Sequence, residues 1–394
     1  MTHNVIEKEY KIKGSLVLLM AMACGIIVAN LYYSQPLLTQ IARTFHVSDS
    51  TIAIVPMLNQ IGYAIGMFFI LPLGDIKERR SLIILMLCLS AVSLILMSIS
   101  QNISMLFFSS FLIGLTNVVP HLIVSFAAQL AKPSERGKVI GTVMSGLLIG
   151  ILLSRTISGI VGSAFGWRLV YIIAVGLILL LAIVLWALFP VSQVQSNIAY
   201  TNLLRSLWNL LKTEPVLRQA SLSGAMMFAA FSAFWTTLIF LLESPAYKLG
   251  AQTAGLFGLV GVIGALSVPF VGRFADKKSP KFTLMIAASC SALSFICFWI
   301  IGLKLWGLII GVILLDLGTQ SGQISNQTKI YALNGEARNR INTIFMVSYF
   351  IGGSLGSYLG AYGWSRFGWS GVCVVGLSFL LVEIISQIVR GKNK

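Results

Sequence analysis

The stretch Leu71-Pro72-Leu73-Gly74-Asp75-Ile76-Lys77-Glu78-Arg79-Arg80 returns as Gly272-Arg273-Phe274-Ala275-Asp276-Lys277-Lys278-Ser279-Pro280-Lys281, with the two aspartates 201 residues apart. In each copy an acid closes an apolar run and two or more cations follow within five residues. In Glu135-Arg136 and Glu336 with Arg338 the glutamates repeat at an offset of 201 and the arginines at 202, and the Gly166-Trp167 and Gly368-Trp369 pairs repeat at 202. Three separate landmarks that agree to within one residue identify an internal duplication.

What lies between the landmarks is apolar. Of the 394 residues, 57% are hydrophobic and 10% charged, against about 25% charged in a soluble domain. Runs of about 20 apolar residues span a bilayer. Twelve candidate spans are readable: 14–38, 51–73, 82–100, 104–128, 139–164, 168–190, 219–242, 253–273, 282–302, 305–327, 342–364 and 368–389. They use up the chain, leave no soluble domain, and allow one long connection, 191–218. The first apolar stretch is too long for a signal peptide and lacks a small-residue cleavage site, so it reads as the first span.

The formal charge of +16 could mark a nucleic-acid partner, so the position of the 28 cations matters. With a cytoplasmic N-terminus, 22 fall on inner segments, five on outer loops (Arg43, Arg168, Lys248, Lys304 and Arg366), and Arg155 inside a span. That bias puts both termini in the cytoplasm by the positive-inside rule. Spread over seven short segments, the cations form no nucleic-acid footprint. The five cysteines all fall in spans and suggest neither disulfides nor a metal site.

The expected fold is therefore an all-α membrane protein of twelve transmembrane helices in two pseudo-symmetric six-helix bundles. Residues 1–190 form the first bundle, 191–218 a cytoplasmic linker and 219–394 the second, the two related by an axis along the membrane normal. In the linker, Leu203, Leu204, Leu207, Leu210 and Leu211 share one helical face, which suggests an amphipathic helix on the inner membrane surface.

On these residues the chain resembles the major facilitator superfamily over essentially its whole length. The resemblance rests on the Asp75…Arg79-Arg80 loop, its copy at Asp276…Lys281 and the glycine-rich fifth span. It is most similar to the twelve-helix drug:proton antiporter and sugar-efflux group, partly through Asn30-Leu31-Tyr32-Tyr33-Ser34-Gln35-Pro36-Leu37. Leu71 and Glu78 stand where that loop usually has glycine, and Gly150-Ile151 where the exporters have Gly-Pro. The resemblance implies that Asp75, Arg79, Arg80, Glu135, Arg136, Asp276, Lys277, Lys281, Glu336 and Arg338 form an ion-pair latch closing the cytoplasmic side. The competing reading is of solvated charges, each exposed pair contributing about 0–1 kcal/mol. An acid at the same point of both halves favours the latch.

Ionisable residues within spans are costly and mark function. Asp316 lies about 16 Å into the tenth span at 1.5 Å per residue. With Gln320, Gln323 and Gln327 it forms one polar face, and the repeat-related fourth span carries Asn117, His121 and Ser125. In the family, spans 1, 4, 7 and 10 line a central cavity, so the two stripes would face each other. A carboxyl group removed from water holds its proton more firmly. Asp316 is thus the expected proton carrier, with His121 and Arg155 as further coupling candidates. A neutral, hydrogen-bonded structural aspartate is the alternative. Arg155, among small residues that permit close helix packing, requires a carboxylate, carbonyls or an anionic substrate group. Asn30, Tyr33, Gln35, Asn59, Gln60, Phe231 and Trp235 complete the expected substrate cavity, although any single aromatic could equally pack against helices or lipid.

The function expected is secondary transport by alternating access: proton-coupled efflux of small organic molecules such as drugs or sugars, by a monomer in the inner membrane. Uptake by proton symport is the alternative, because the same fold serves both. No paired catalytic carboxylates lie in a span, and there is no metal-spacing cluster, H-E-x-x-H or G-x-x-x-x-G-K-[ST], so neither an enzyme, a cofactor nor an ATP-driven pump is expected. Midplane charges in repeats favour a carrier over a channel.

Overall fold

The computed structural model describes residues 13–132, 134–191, 199–261, 280–333 and 337–389, and all regular structure among them is helical. In lipid this is the expected outcome, since helices satisfy their own backbone groups where no water can. In chain order the helices are α1 (Gly14–Ala29), α2 (Leu38–Phe45), α3 (Ile54–Phe69), α4 (Arg79–Ser98), α5 (Ile103–Thr116), α6 (Val119–Leu130) and α7 (Arg136–Phe165). They continue as α8 (Trp167–Leu188), α9 (Tyr200–Thr213), α10 (Pro215–Glu243), α11 (251–261), α12 (Pro280–Ile301), α13 (Leu305–Tyr331) and α14 (Arg338–Val389). Nine helical stretches of the described residues are long and apolar enough to cross a membrane. Leu18, Leu180, Ile183 and Leu381 are more than half exposed on their outer faces, where a soluble fold would place charge.

Both members of the Gly-Trp repeat turn the chain. Gly166 (φ 86°) separates α7 from α8 and Gly368 (φ 58°) breaks α14, a backbone region that side chains with a Cβ avoid. Glu78, where the family loop usually has glycine, caps α4: its carboxylate accepts from Arg80 N at 2.9 Å and Ser81 N at 2.6 Å.

Among the described residues, the expected spans 14–38 and 104–128 are broken rather than continuous. The span read as 14–38 ends its α-helix at Ala29, passes through a turn and a 3-10 segment Gln35–Leu37, and resumes as α2. That read as 104–128 is interrupted at Asn117-Val118, after which Pro120 opens α6. Proline lacks the N–H a continuous helix needs. The breaks meet: Asn30 Nδ2 donates to Asn117 Oδ1 at 2.9 Å, while Asn59 of α3 donates to the freed carbonyl of Leu31 at 3.2 Å. Asn117 also donates to Ser90 Oγ of α4 at 3.2 Å.

Glycine sets how closely helices pack. A Cβ on Gly150 of α7 would stand 2.4 Å from Gly25 Cα of α1, and one on Gly255 of α11 would stand 2.5 Å from Arg155 O of α7. Thr156 Oγ1 donates to Gly255 O at 2.9 Å, so α7 and α11 are joined by backbone contact and a hydrogen bond.

The linker helix α9 turns its apolar face inward. Leu203 and Leu207 are buried against the protein, Trp208 is exposed, and Tyr200 donates to Phe69 O of α3 at 2.8 Å.

Candidate functional site

The two ends of the bundle differ. At the end opposite the Asp75 loop, contacts tie the first part of the chain to the second. Glu243 of α10 pairs with Arg43 of α2 and accepts from Thr39 at 2.7 Å, and Trp364 Nε1 of α14 donates to Asp49 Oδ2 at 3.0 Å. One layer in, Gln60 of α3 donates to Ser357 Oγ of α14 at 3.1 Å, and Thr236 of α10 shares that hydroxyl at 2.9 Å. This end is closed.

At the end carrying the Asp75 loop the two parts separate around a cavity of about 650 Å³. Asp75, Arg79, His121, Ser125, Gln129 and Arg136 line one wall; Tyr331, Arg338, Asn339, Arg340, Asn342 and Thr343 line the other, with Leu203 and Leu207 of α9 beside them. Arg79 pairs with Asp75 at 3.5 Å and donates to Gly74 O at 2.9 Å and Gln129 Oε1 at 2.8 Å, so these contacts lie within its own part of the chain. Arg80 donates to Phe189 O at 3.2 Å and lies over Trp186. Glu135 and Arg136 stand at the exposed start of α7. Of the remaining latch residues, Asp276, Lys277 and Glu336 lie outside the described residues, and Lys281 is at the second position of α12.

Between cavity and closed end stands an aromatic layer contributed by both parts. Tyr63 of α3 lies 4.3 Å, centroid to centroid, from Phe350 of α14 and meets His121 edge-on at 5.9 Å. Phe228 of α10 stacks on Tyr349 at 4.0 Å and meets Phe350 at 5.4 Å.

Beyond this layer lies Arg155 of α7, 1% exposed. Its Nε donates to Gln35 Oε1 at 2.7 Å and its Nη1 to Ile151 O at 3.4 Å. Three rings surround the guanidinium: Trp235 at 4.1 Å, Tyr32 at 4.8 Å and Phe231 at 5.9 Å from its central carbon. Asp316 of α13, also 1% exposed, is within electrostatic reach of Arg155, and its Oδ2 has no hydrogen-bond partner. Gly258 and Gly261 of α11 pass between them: a Cβ on Gly258 would meet Arg155 Cβ at 3.3 Å, and one on Gly261 would meet Asp316 Oδ2 at 3.2 Å. Glycine thus lets two buried ionisable groups share one compartment.

The expected cavity residues therefore divide. Gln35, Phe231, Trp235, Arg155 and Asp316 come together. His121 faces the open cavity. Asn30, Asn59 and Asn117 join the helix breaks. Gln60 ties α3 to α14, and Gln323 accepts from Tyr349 at 3.3 Å. Tyr33 is buried, and Gln320 half-buried. Sequence reading misses Tyr32, Tyr349 and Phe350. The aromatic-rich pattern of the eleventh span is a usable signal for the last two.

Residues 17–356 match the family model of the Major Facilitator Superfamily, and the chain belongs to that family. It is 41% identical over 379 residues to the putative uncharacterized transporter YgaY of Escherichia coli (strain K12), covering 96% of each chain. It is 30% identical to the probable transporter SCO4007 of Streptomyces coelicolor, over 94% of this chain and 86% of that one. It is 25% identical to a probable sugar efflux transporter of Helicobacter pylori, over 82% of each. The crystal structure of the nucleoside transporter NupG superposes with a TM-score of 0.76 at 14% identity, over 95% of this chain and 99% of that one, a likeness of fold. The protein is a multi-pass membrane transporter of small molecules by secondary transport, and not an enzyme.

Proposed function

We propose that the protein is a proton-coupled carrier of small organic molecules that works by alternating access, with Asp316 carrying the proton, either exporting compounds such as drugs or sugars by antiport or taking up a metabolite by symport. In this reading 1–190 and 219–394 are the two halves that rock about a midplane site, both termini are cytoplasmic, and the protein works as a monomer in the inner membrane. The positive-inside bias makes the Asp75 end cytoplasmic, so the arrangement with the opposite end tied shut is the inward-open one. The Asp75 and Asp276 loops then form the latch in the outward-open state.

The observation that carries the reading is Asp316 itself. A carboxyl group 1% exposed, with one oxygen unpartnered and a guanidinium within reach but on the other half, is a group whose charge state both halves feel. Likeness to a probable sugar efflux transporter supports export. One observation favours the second reading, uptake by symport. When Asp316 takes a proton, Arg155 is left as a buried cation without its counter-charge, a state that an anionic substrate relieves. Transport in everted vesicles, with a compound chosen by screening deletion and overexpression strains, separates the readings. An antiporter accumulates the compound when the interior is acidified, a symporter releases it, and indifference to the pH gradient contradicts both.

A further inference from the structure

We infer that the substrate is a small organic anion, a carboxylate with a flat apolar part, that binds the Arg155 guanidinium beside Trp235 and loads together with a proton on Asp316. The inference rests on Asp316 being the proton carrier, and it selects the symport reading.

Two donors in the compartment around Arg155 lack an acceptor, as Asp316 Oδ2 lacks a donor. Arg155 Nη2 and Trp235 Nε1 are both buried N–H donors without a hydrogen-bond partner. They sit together, the guanidinium carbon lying 4.1 Å from the Trp235 ring centroid. Buried donors left unpaired are costly, and a planar acceptor with negative charge suits a guanidinium fork best. A void of about 10 Å³, lined by Gln35, Arg155 and Trp235 among others, adjoins them. It admits one small group, so a larger ligand must part α7 from α10. The surrounding rings, Tyr32, Phe231 and Trp235, offer flat apolar surface for the rest of such a molecule.

The path between this site and the Asp75 end has the same sign. Among the described residues, the open cavity is lined by four arginines, Arg79, Arg136, Arg338 and Arg340, against one acid, Asp75. A cleft with an excess of one charge concentrates ligands of the other.

Coupling follows from electrostatics. Among the described residues, the groups facing Arg155 and Asp316 that can carry charge are each other, Tyr32 from the first span and Tyr349 from α14. Helix α10 contributes rings and α11 glycines. Ionised Asp316 and a bound carboxylate therefore compete for one guanidinium, and a proton on Asp316 removes the competitor. By reciprocity the anion strengthens proton binding to the same degree.

The test is ligand-induced stabilisation of the purified protein by benzoate, with benzamide and benzylammonium as neutral and cationic counterparts, at about pH 6 and about pH 8, both above the pKa of a free carboxylic acid. Benzoate alone is expected to raise the unfolding midpoint, binding about tenfold or more tighter at the lower pH. Arg155→Gln is expected to abolish the response. If Arg155→Gln does not fold, Arg155→Lys keeps the charge, loses the fork, and is expected to weaken benzoate by about tenfold. Asp316→Asn is expected to bind benzoate equally at both pH values. Benzamide stabilising as well as benzoate, or an unchanged benzoate response in both Arg155 variants, overturns the anion site whatever Asp316 does. A wild-type pH dependence persisting in Asp316→Asn overturns the shared loading, and with it the proton-carrier reading.

Discussion

The guanidinium of Arg155 lies over the ring of Trp235 at 4.1 Å, and through that contact α7 of the first part of the chain is fastened to α10 of the second. Opening the closed end must separate them. A desolvated cation–π contact is worth about 1–2 kcal/mol, so Trp235→Leu shifts the equilibrium toward the opened state. Labelling of a single cysteine introduced at Ser34, 1% exposed, by an impermeant maleimide from outside is expected to speed up by about five- to thirtyfold. An unchanged rate would show that the contact does not hold this end shut.

The pair between Arg43 and Glu243 bridges the same two parts, but its arginine side chain is 73% exposed. Exposed pairs contribute about 0–1 kcal/mol and are screened by salt. Glu243→Gln should therefore raise labelling at position 34 by less than about fivefold, and the effect should shrink as salt is raised. A larger, salt-independent effect would contradict the weak, solvent-screened contribution expected of an exposed pair.

Asn30 and Asn117 meet where both their helices break. Replacing either by alanine leaves a buried partner unsatisfied and should cost about 1–3 kcal/mol. Because they share one network, the double variant should be less destabilised than the two singles added together. Thermal unfolding of the four proteins closes the cycle. Strict additivity would place the two side chains in separate roles.

Glycine substitutions separate packing from propensity. A Cβ at Gly114 of α5 would stand 2.0 Å from Asn59 O, whereas one at Gly176 of α8 meets nothing within 4 Å. Gly114→Ala should destabilise by about 1–3 kcal/mol through overpacking. Gly176→Ala, in mid-helix, should be neutral or stabilising by up to about 1 kcal/mol. Equal unfolding midpoints for the two variants would contradict the backbone contact between α3 and α5.

Much of this is legible in the sequence because lipid simplifies the code. Runs of apolar residues have one meaning there, and the landmark offset of 201 to 202 exposes the duplication. Asp316, Arg155, Gln35 and Trp235 stand out because burying a polar or amphipathic group inside a span is costly unless the fold uses it. Tyr32 is passed over in favour of its neighbour Tyr33 because the α-helix stops at Ala29, and beyond that point a 3.6-residue period no longer says which tyrosine faces inward. Asn30, Asn59 and Asn117 read as cavity residues because pattern shows that a polar side chain needs a partner without showing whether a broken helix supplies it. The layer of Tyr63, Phe228, Tyr349 and Phe350 brings together residues far apart in the chain, which periodicity along one helix does not encode.

Whether Asp316 carries the coupled proton is decided by gradient-driven transport of the Asp316→Asn variant in vesicles. Asparagine keeps the shape of the side chain and removes its titration. If Asp316 is the carrier, the variant still exchanges substrate down its own gradient but no longer accumulates it when a pH gradient is imposed. Full gradient-driven accumulation by Asp316→Asn would contradict that role.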